Sequence, residues 1–271
     1  MRNNHCKLYR EIEYYRIAFS YRDIKKECSF LEEVYKKYRG REFQSSIELA
    51  SGPADHSFML AKKDRKTAVV DISEEMIKYI RDKDIDNLID TYNHDMVSFK
   101  VKEKYDLAFM MLDSFAYLLT DEDIESHFNC VADALNENGI YIIEMDHPGS
   151  ILENNNSNTK NSDTEGICWK VDNPKYNVQM HWKAPGSNFD SSTQIENVKI
   201  EIKAYDKTNN CFSIIEDTAK QRIFTANEFK LHVKLSKRFN IIAQYRLFDI
   251  SKKFNADIDG ERMISVLQKI K

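Results

Sequence analysis

The stretch that decides the fold is Ile47-Glu48-Leu49-Ala50-Ser51-Gly52-Pro53-Ala54-Asp55-His56. Its apolar start predicts a short buried strand, its small residues predict a tight turn, and residues 57–61 have helical spacing. A second apolar strand follows at residues 67–70 and ends at Asp71. This layout is typical of a nucleotide site, because small residues let the backbone approach a ligand and the acid accepts hydrogen bonds from ribose hydroxyls.

The turn after the first strand does not have the Gly-x-Gly-x-x-Gly pattern of a dinucleotide site. A pyrophosphate is therefore not expected at this turn. The pattern favours a nucleoside ligand without phosphates over NAD.

Composition limits the partners that the chain is expected to have. The net charge is -4 and the pI is near 6.0, so no basic field is available to hold a nucleic acid. The five cysteines are odd in number and include no Cys-x-x-Cys pair, which predicts neither a zinc site nor a disulfide framework. No run approaches the roughly 18 apolar residues of a membrane span. We expect a cytoplasmic protein with no metal, nucleic-acid or membrane partner.

Three regions follow from the pattern along the chain. Residues 1–40 predict a helical amino-terminal lid rich in aromatic side chains. Residues 41–149 and 225–271 alternate continuously apolar strands with amphipathic helices, which predicts a parallel sheet covered on both faces. Residues 150–224 change to a period of two and predict an inserted antiparallel sheet after strand five. The expected fold class is α/β, with a Rossmann-like, mostly parallel sheet of seven strands.

Several element boundaries can be predicted from caps and turns. Ser73, Thr120 and Thr225 are expected to cap helices, because their hydroxyls can accept the free amide groups of a first turn. The predicted helices include 121–136 and 226–238, and the predicted strands include 45–49, 67–71, 105–111, 140–145, 240–249 and 262–269.

This order of elements, from about residue 14 to the end, resembles a class I S-adenosylmethionine-dependent methyltransferase. In that family the first strand ends in Glu/Asp-x-Gly-x-Gly-x-Gly. Here Glu48 and Gly52 match, while Ala50 and Ala54 replace glycines. The resemblance implies S-adenosylmethionine as cofactor and S-adenosylhomocysteine as product.

The resemblance also implies roles for residues at the strand ends. Asp71 matches the acid that holds both ribose hydroxyls, Asp95 matches the acid at the adenine amine, and Leu112 lies where the family contacts the methionine moiety. The cofactor-binding residues that we predict are Tyr21, Arg22, Glu48, Ala50, Gly52, Asp71, Ile72, Met76, Asp95, Met96, Leu112 and Phe115.

The chemistry of methyl transfer indicates which further side chains to consider. Displacement at a sulfonium carbon needs mainly proximity and orientation, and an amine acceptor must arrive without its extra proton. We predict His147 and Asp113 as catalytic residues. The predicted substrate-binding residues are Tyr21, Asp146, Asp163, Trp169 and Trp182. Plainer roles remain open: His147 can anchor its loop, and the tryptophans can be core of the inserted sheet.

The lid and the inserted sheet resemble small-molecule and peptide N-methyltransferases, including enzymes for amino sugars, for glycine and for peptide natural products such as plantazolicin. The expected function is methyl transfer to an amine of a small molecule or to a peptide amino terminus, by a monomer or homodimer. A small-molecule O-methyltransferase and a non-catalytic binding protein for this cofactor are the alternatives. An RNA methyltransferase is disfavoured, since no Asn/Asp-Pro-Pro-Tyr follows strand four.

Overall fold

The computed structural model describes residues 7–148, 166–255 and 262–270. Among these residues the α-helices are α1 (Ile12–Ala18), α2 (Ile24–Arg39), α3 (Asp55–Ala61), α4 (Glu74–Lys83), α5 (Asp121–Ala134) and α6 (Ala226–Ser236). The strands are β1 (Ser45–Leu49), β2 (Lys66–Asp71), β3 (Ile89–Asn93), β4 (Tyr105–Met110), β5 (Leu135–Asp146), β6 (Ile167–Asp172), β7 (Tyr176–Trp182), β8 (Asn188–Asp190), β9 (Ile195–Asp206), β10 (Cys211–Arg222), β11 (Phe239–Arg246), β12 (Asp249–Lys253) and β13 (Arg262–Lys269). Contacts within the chain divide it into two compact units.

The larger unit contains a sheet with the strand order β12-β11-β13-β5-β4-β1-β2-β3. The five strands from β5 to β3 are parallel, and β13, β11 and β12 add in antiparallel fashion. The predicted Rossmann-like, mostly parallel sheet is confirmed, with eight described strands instead of seven. The extra strand arises because the predicted strand 240–249 reverses at Leu247 and Phe248, which both have positive φ.

Apolar strands and amphipathic helices give this unit its core. The central strands β1, β2 and β4 are almost fully buried, as expected for strands of a parallel sheet that is covered on both faces. Side chains of α2 pack on β4 and β5, and side chains of α5 and α6 pack on the other core. The hydroxyls of Ser73, Thr120 and Thr225 accept the expected amide groups, so all three predicted caps are confirmed.

The smaller unit contains the inserted sheet, with the order β10-β9-β7-β6 and β8 paired to β9. Every described pairing in it is antiparallel, as the period of two predicts. Residues 7–23 belong to this unit: the Leu8 amide donates to Asp217 at 3.0 Å, and the Tyr176 hydroxyl donates to Glu13 at 3.0 Å. Residues 24–39, which form α2, pack instead in the core of the larger unit.

None of the helices in the described ranges is both long enough and apolar enough to cross a membrane.

Candidate cofactor and active site

The turn after β1 has an unusual backbone. Ala50, Gly52 and Ala54 all have positive φ, at 49°, 52° and 57°. This region suits glycine and costs an alanine roughly 1 kcal/mol, because its Cβ approaches the backbone. The two alanines thus adopt a backbone conformation that glycine favours, at the two positions where they replace glycines of the pattern.

Asp71 lies at the end of β2 and joins two neighbouring segments. Its Oδ2 accepts the Gly52 amide at 2.7 Å, and its Oδ1 accepts the Ser73 amide at 2.8 Å. Burial raises the pKa of Asp71 to about 6, although both amides lower it, and the charge of Glu48 raises it further. Each carboxylate oxygen can accept another hydrogen bond. A buried carboxylate whose oxygens still have lone pairs to offer fits a ligand that brings two hydroxyl groups.

Glu48 is placed differently from what the resemblance implies. Its Oε2 accepts the amide of Ser57 at 3.2 Å and the hydroxyl of Ser57 at 2.6 Å, and its Oε1 lies 3.3 Å from Nδ1 of His56. The side chain is buried and points to the start of α3. Glu48 therefore contributes to the site by holding α3, and its carboxylate is occupied within the protein.

His56 extends this contact to α2. Its Nε2 lies 2.6 Å from Oε2 of Glu27. Burial lowers the pKa of His56, but hydrogen bonds to Glu27 and Glu48 and the charges of both carboxylates raise it to about 9. His56 is therefore an imidazolium at neutral pH, buried between two acids.

The segment after β3 is fixed by a neutral histidine. Asp95 accepts the Val97 amide at 3.1 Å, and the Met96 carbonyl accepts Nδ1–H of His127 at 2.9 Å. Burial lowers the pKa of His127 to about 4, so its Nε2 carries no proton and accepts the Tyr141 hydroxyl at 2.8 Å. The backbone around Asp95 and Met96 is thus fixed by the hydrogen bond from His127 of α5.

The ends of β4 and β5 are strained and acidic. Leu112 and Asp113 both have positive φ, which is rare for two adjacent side chains of this kind and typical of functional sites. The Leu112 amide donates to Glu144 at 2.9 Å, and the Asp146 amide donates to Asp113 at 3.0 Å. Burial, and then the charge of Asp146, raise the pKa of Asp113 well above its usual range.

Arg262 on β13 balances part of this negative charge. Its guanidinium bonds Glu144, which is fully buried, and its Nε lies 3.6 Å from Asp146. Removing it would leave Glu144 as a buried charge without its guanidinium partner.

His147 follows directly after β5 and is buried against the ring of Phe254 at 5.2 Å. Burial lowers its pKa, so the imidazole is neutral at pH 7. Its Nδ1 is buried and has no hydrogen-bond partner among the residues that the structure describes. Such an atom can accept a proton or a ligand donor.

The remaining predicted cofactor-binding residues of the larger unit differ in how far their side chains are buried. Ile72 is 45% exposed beside Asp71, whereas Met76 is a buried residue of the first turn of α4. Phe115 is fully buried and contacts other aromatic rings, namely those of His127, Phe128, Phe224 and Phe229. Met76 and Phe115 are thus placed to support the site from the core.

Other predicted residues belong to the smaller unit or fall outside the described ranges. Tyr21, with an exposed ring, and Arg22 end the segment 7–23. Trp182 shares a face of β7 with the buried Val178 and Met180. Asp163 lies outside the described residues.

Trp169 anchors the amino-terminal segment within its unit. Its Nε1–H donates to the Ala18 carbonyl at 2.7 Å, and its ring lies 5.7 Å from Phe19 and 6.1 Å from Tyr21. We expect Trp169→Phe to lower the unfolding temperature, through loss of about 1 kcal/mol from this hydrogen bond. Calorimetry of the variant checks this, with Phe212→Leu at an exposed site of β10 as control. If Trp169→Phe unfolded at the same temperature as the native chain, the anchoring role of Trp169 would be contradicted.

Among the described residues no group of three or more His, Cys, Asp or Glu side chains could hold a metal ion.

Sequence reasoning missed the residues that act through long-range contacts. Glu27 and Glu144 are buried acids, and His56 and Arg262 are their partners. One signal was available: Glu27 shares the apolar stripe of α2 with Leu31 and Val34 at helical spacing. Nothing in the sequence connects it to His56.

Comparison with known proteins agrees with this architecture. Residues 47–139 match the family model described as a methyltransferase domain. The chain is 25% identical over 123 residues to a dTDP-3-amino-3,4,6-trideoxy-alpha-D-glucopyranose N,N-dimethyltransferase of Streptomyces venezuelae, a match that spans 45% of this chain and about half, 51%, of that protein.

Two solved structures share the fold over nearly the whole chain. An S-adenosylmethionine-dependent methyltransferase from Clostridium acetobutylicum superposes with a TM-score of 0.74 at 18% identity, covering 94% of this chain and 96% of that one. An amino pentose methyltransferase from Micromonospora echinaspora, solved with S-adenosylmethionine bound, gives 0.69 at 11% identity, with 94% of each chain covered. The chain therefore contains a methyltransferase domain and has the class I methyltransferase fold, as predicted.

Proposed function

We propose that this protein is an S-adenosylmethionine-dependent methyltransferase that transfers a methyl group to the amine of a small molecule. The proposal rests mainly on the buried Asp71 carboxylate, which accepts the Gly52 and Ser73 amides at the β1 turn and has lone pairs left for further donors. The proposed cofactor brings two ribose hydroxyls, which are donors of this kind.

The strand ends supply the other contacts in this proposal. Asp95 accepts the adenine amine, and Ile72 and Met96 offer apolar surface to the base. The segment at Leu112 contacts the methionine moiety. When bound, S-adenosylmethionine supplies an electrophilic methyl group on a good leaving group, so the protein mainly has to orient the acceptor.

An amine acceptor fits the charges at the ends of β4 and β5. Asp146 places an exposed carboxyl group there, which attracts a protonated amine as it approaches, and the adjacent Asp113 accepts the Asp146 amide. His147 is neutral and its Nδ1 lacks a partner among the described residues, so in this proposal it accepts the proton that the amine must lose. Two of the proteins named above, from Streptomyces venezuelae and Micromonospora echinaspora, are described as methyltransferases of amino sugars, and an amino sugar is the acceptor class we propose.

Calorimetry with S-adenosylmethionine and S-adenosylhomocysteine is the first test. Binding of both, followed by transfer of an isotope-labelled methyl group to nucleotide-linked amino sugars, supports the proposal. Transfer to peptide amino termini or to the matching hydroxyl sugars would instead assign a different acceptor. Binding without transfer to any acceptor would favour a non-catalytic protein, and the absence of binding would overturn the proposal.

The proposed role of His147 predicts a selective loss of turnover. His147→Gln is expected to lower kcat about 100-fold, since general bases contribute on this scale, and to leave the Kd for the cofactor unchanged. Steady-state kinetics with an identified acceptor measure both values. His232→Gln on α6, in which another partly buried histidine is changed, is the control. A variant with the native kcat would exclude His147 as the base.

A further inference from the structure

A buried cluster of three charged side chains lies next to the turn after β1. The ring of His56 is 2.6 Å from Glu27 on α2 and 3.3 Å from Glu48 at the end of β1. All three side chains are less than one-tenth exposed. Buried charges cost much free energy unless they are paired and hydrogen-bonded, so these groups depend on one another.

Glu48 connects this cluster to α3. The residue before that helix, Ala54, has no side-chain hydrogen bond to cap it. Glu48 accepts the Ser57 amide instead, and thereby satisfies an amide that the helix itself leaves without a partner. The orientation of Glu48 therefore sets where α3 begins and how the turn 50–54 is held.

We propose that His56 is a positioning residue of the cofactor site, because it fixes Glu48 in the orientation that holds the turn 50–54. This inference rests on the function proposed above, in which that turn contacts the cofactor. Both ring nitrogens of His56 are engaged by carboxylates within the protein. His56 therefore acts through Glu48, and at its other nitrogen it ties the turn to the first turn of α2.

The surroundings of His56 define which charges act on it. Cys28 of α2 donates its thiol to the His56 carbonyl at 3.8 Å, and burial raises the pKa of that thiol to about 12, so it is uncharged. From β4, the apolar ring of Phe109 lies 6.1 Å away. On α3 itself, Asp55 is paired with Lys83 at 3.7 Å. Glu27 and Glu48 are thus the acids in direct contact with the ring.

A ligand without groups that titrate between pH 7 and pH 10 gives the sharpest test. The probe is 5′-methylthioadenosine, which lacks the amino and carboxyl groups of the methionine moiety, and its Kd is measured calorimetrically on the full chain across that pH range. For the native chain we expect the affinity for the probe to stay constant from pH 7 to just below pH 9. Above about pH 9 the affinity should weaken, because His56 loses its proton there. Glu27→Gln should move this midpoint to lower pH, because one of the two carboxylates that favour the imidazolium is gone.

Glu32→Gln is the matched control on the same helix. Its carboxylate bonds Lys63 and Arg65 and does not contact His56, so the native midpoint should remain. His56→Gln should bind the probe about tenfold more weakly at pH 7, the size of one lost charge-assisted hydrogen bond, and show no midpoint near pH 9. Thermal unfolding of each variant shows whether it is folded.

The outcomes separate this inference from the proposed function. If Glu27→Gln keeps the native midpoint, or if a folded His56→Gln binds with native affinity, His56 has no positioning role. If the native chain binds neither the probe nor S-adenosylhomocysteine, the proposed function itself is wrong.

Discussion

Replacing Asp71 with alanine is expected to weaken binding of S-adenosylmethionine about 100-fold or more. In the proposed complex the carboxylate accepts two hydroxyl groups, and hydrogen bonds to a charged group are each worth about 1.5–3 kcal/mol. The substitution also releases the Gly52 and Ser73 amides that Asp71 holds now. Calorimetric Kd values for the native chain and the variant measure the effect.

Two comparisons make this result specific. Asp90→Ala removes an exposed acid from the neighbouring strand β3 and should leave the Kd unchanged. Asp71→Asn keeps the shape but loses the charge, so an intermediate loss is expected. A native Kd in Asp71→Ala would rule out a ribose contact at this position.

The pKa of Asp71 predicts how this binding depends on pH. The carboxyl titrates at about 6 in the free protein, and only its charged form accepts both ribose hydroxyls. Affinity should therefore be full above pH 6 and fall as the pH drops below it. The cofactor keeps its own charges constant in this range, so the change reports the protein.

The fold was predictable wherever one local pattern decides it. Apolar residues at 47 and 49, at 68–70 and at 107–110 indicated β1, β2 and β4, and hydroxyl side chains marked three helix starts. The hairpin β11–β12 was not predictable, because it turns through Leu247 and Phe248 at positive φ without glycine or asparagine. There the tertiary structure overrides local preference.

The candidate site was predictable in position and less so in orientation. A parallel sheet brings the ends of β1, β2 and β4 to one edge, so the choice of Asp71 followed from topology. Whether Glu48 faces a ligand or α3 depends on His56 and on Glu27, which is 29 residues away from His56 in the chain. Contacts between such distant residues leave no periodic signal, which is why the sequence indicated Glu48 as a ligand residue.

The buried imidazolium of His56 predicts a pH-dependent stability. Its pKa is about 9 in the folded protein and near 6.5 when unfolded. Because the folded pKa is the higher one, the stabilisation is fully present below pH 6.5 and is lost as the pH rises to about 9. A difference of this size corresponds to about 3 kcal/mol in the free energy of unfolding. Urea unfolding at pH 6.5 and at pH 9 measures it.

Comparison of the native chain with His56→Gln separates the stabilisation by the His56 imidazolium from the effects of other titrating groups. The variant should lose less stability than the native chain between the two pH values, because it has no imidazole to deprotonate. Cys28 acts in a separate range: its thiol pKa is raised to about 12, so its contribution is lost only above pH 9. Parallel pH profiles for the native chain and His56→Gln would show that His56 is not held as an imidazolium. In that case the contact with Glu27 would be a hydrogen bond donated by a neutral imidazole, without the attraction of an ion pair.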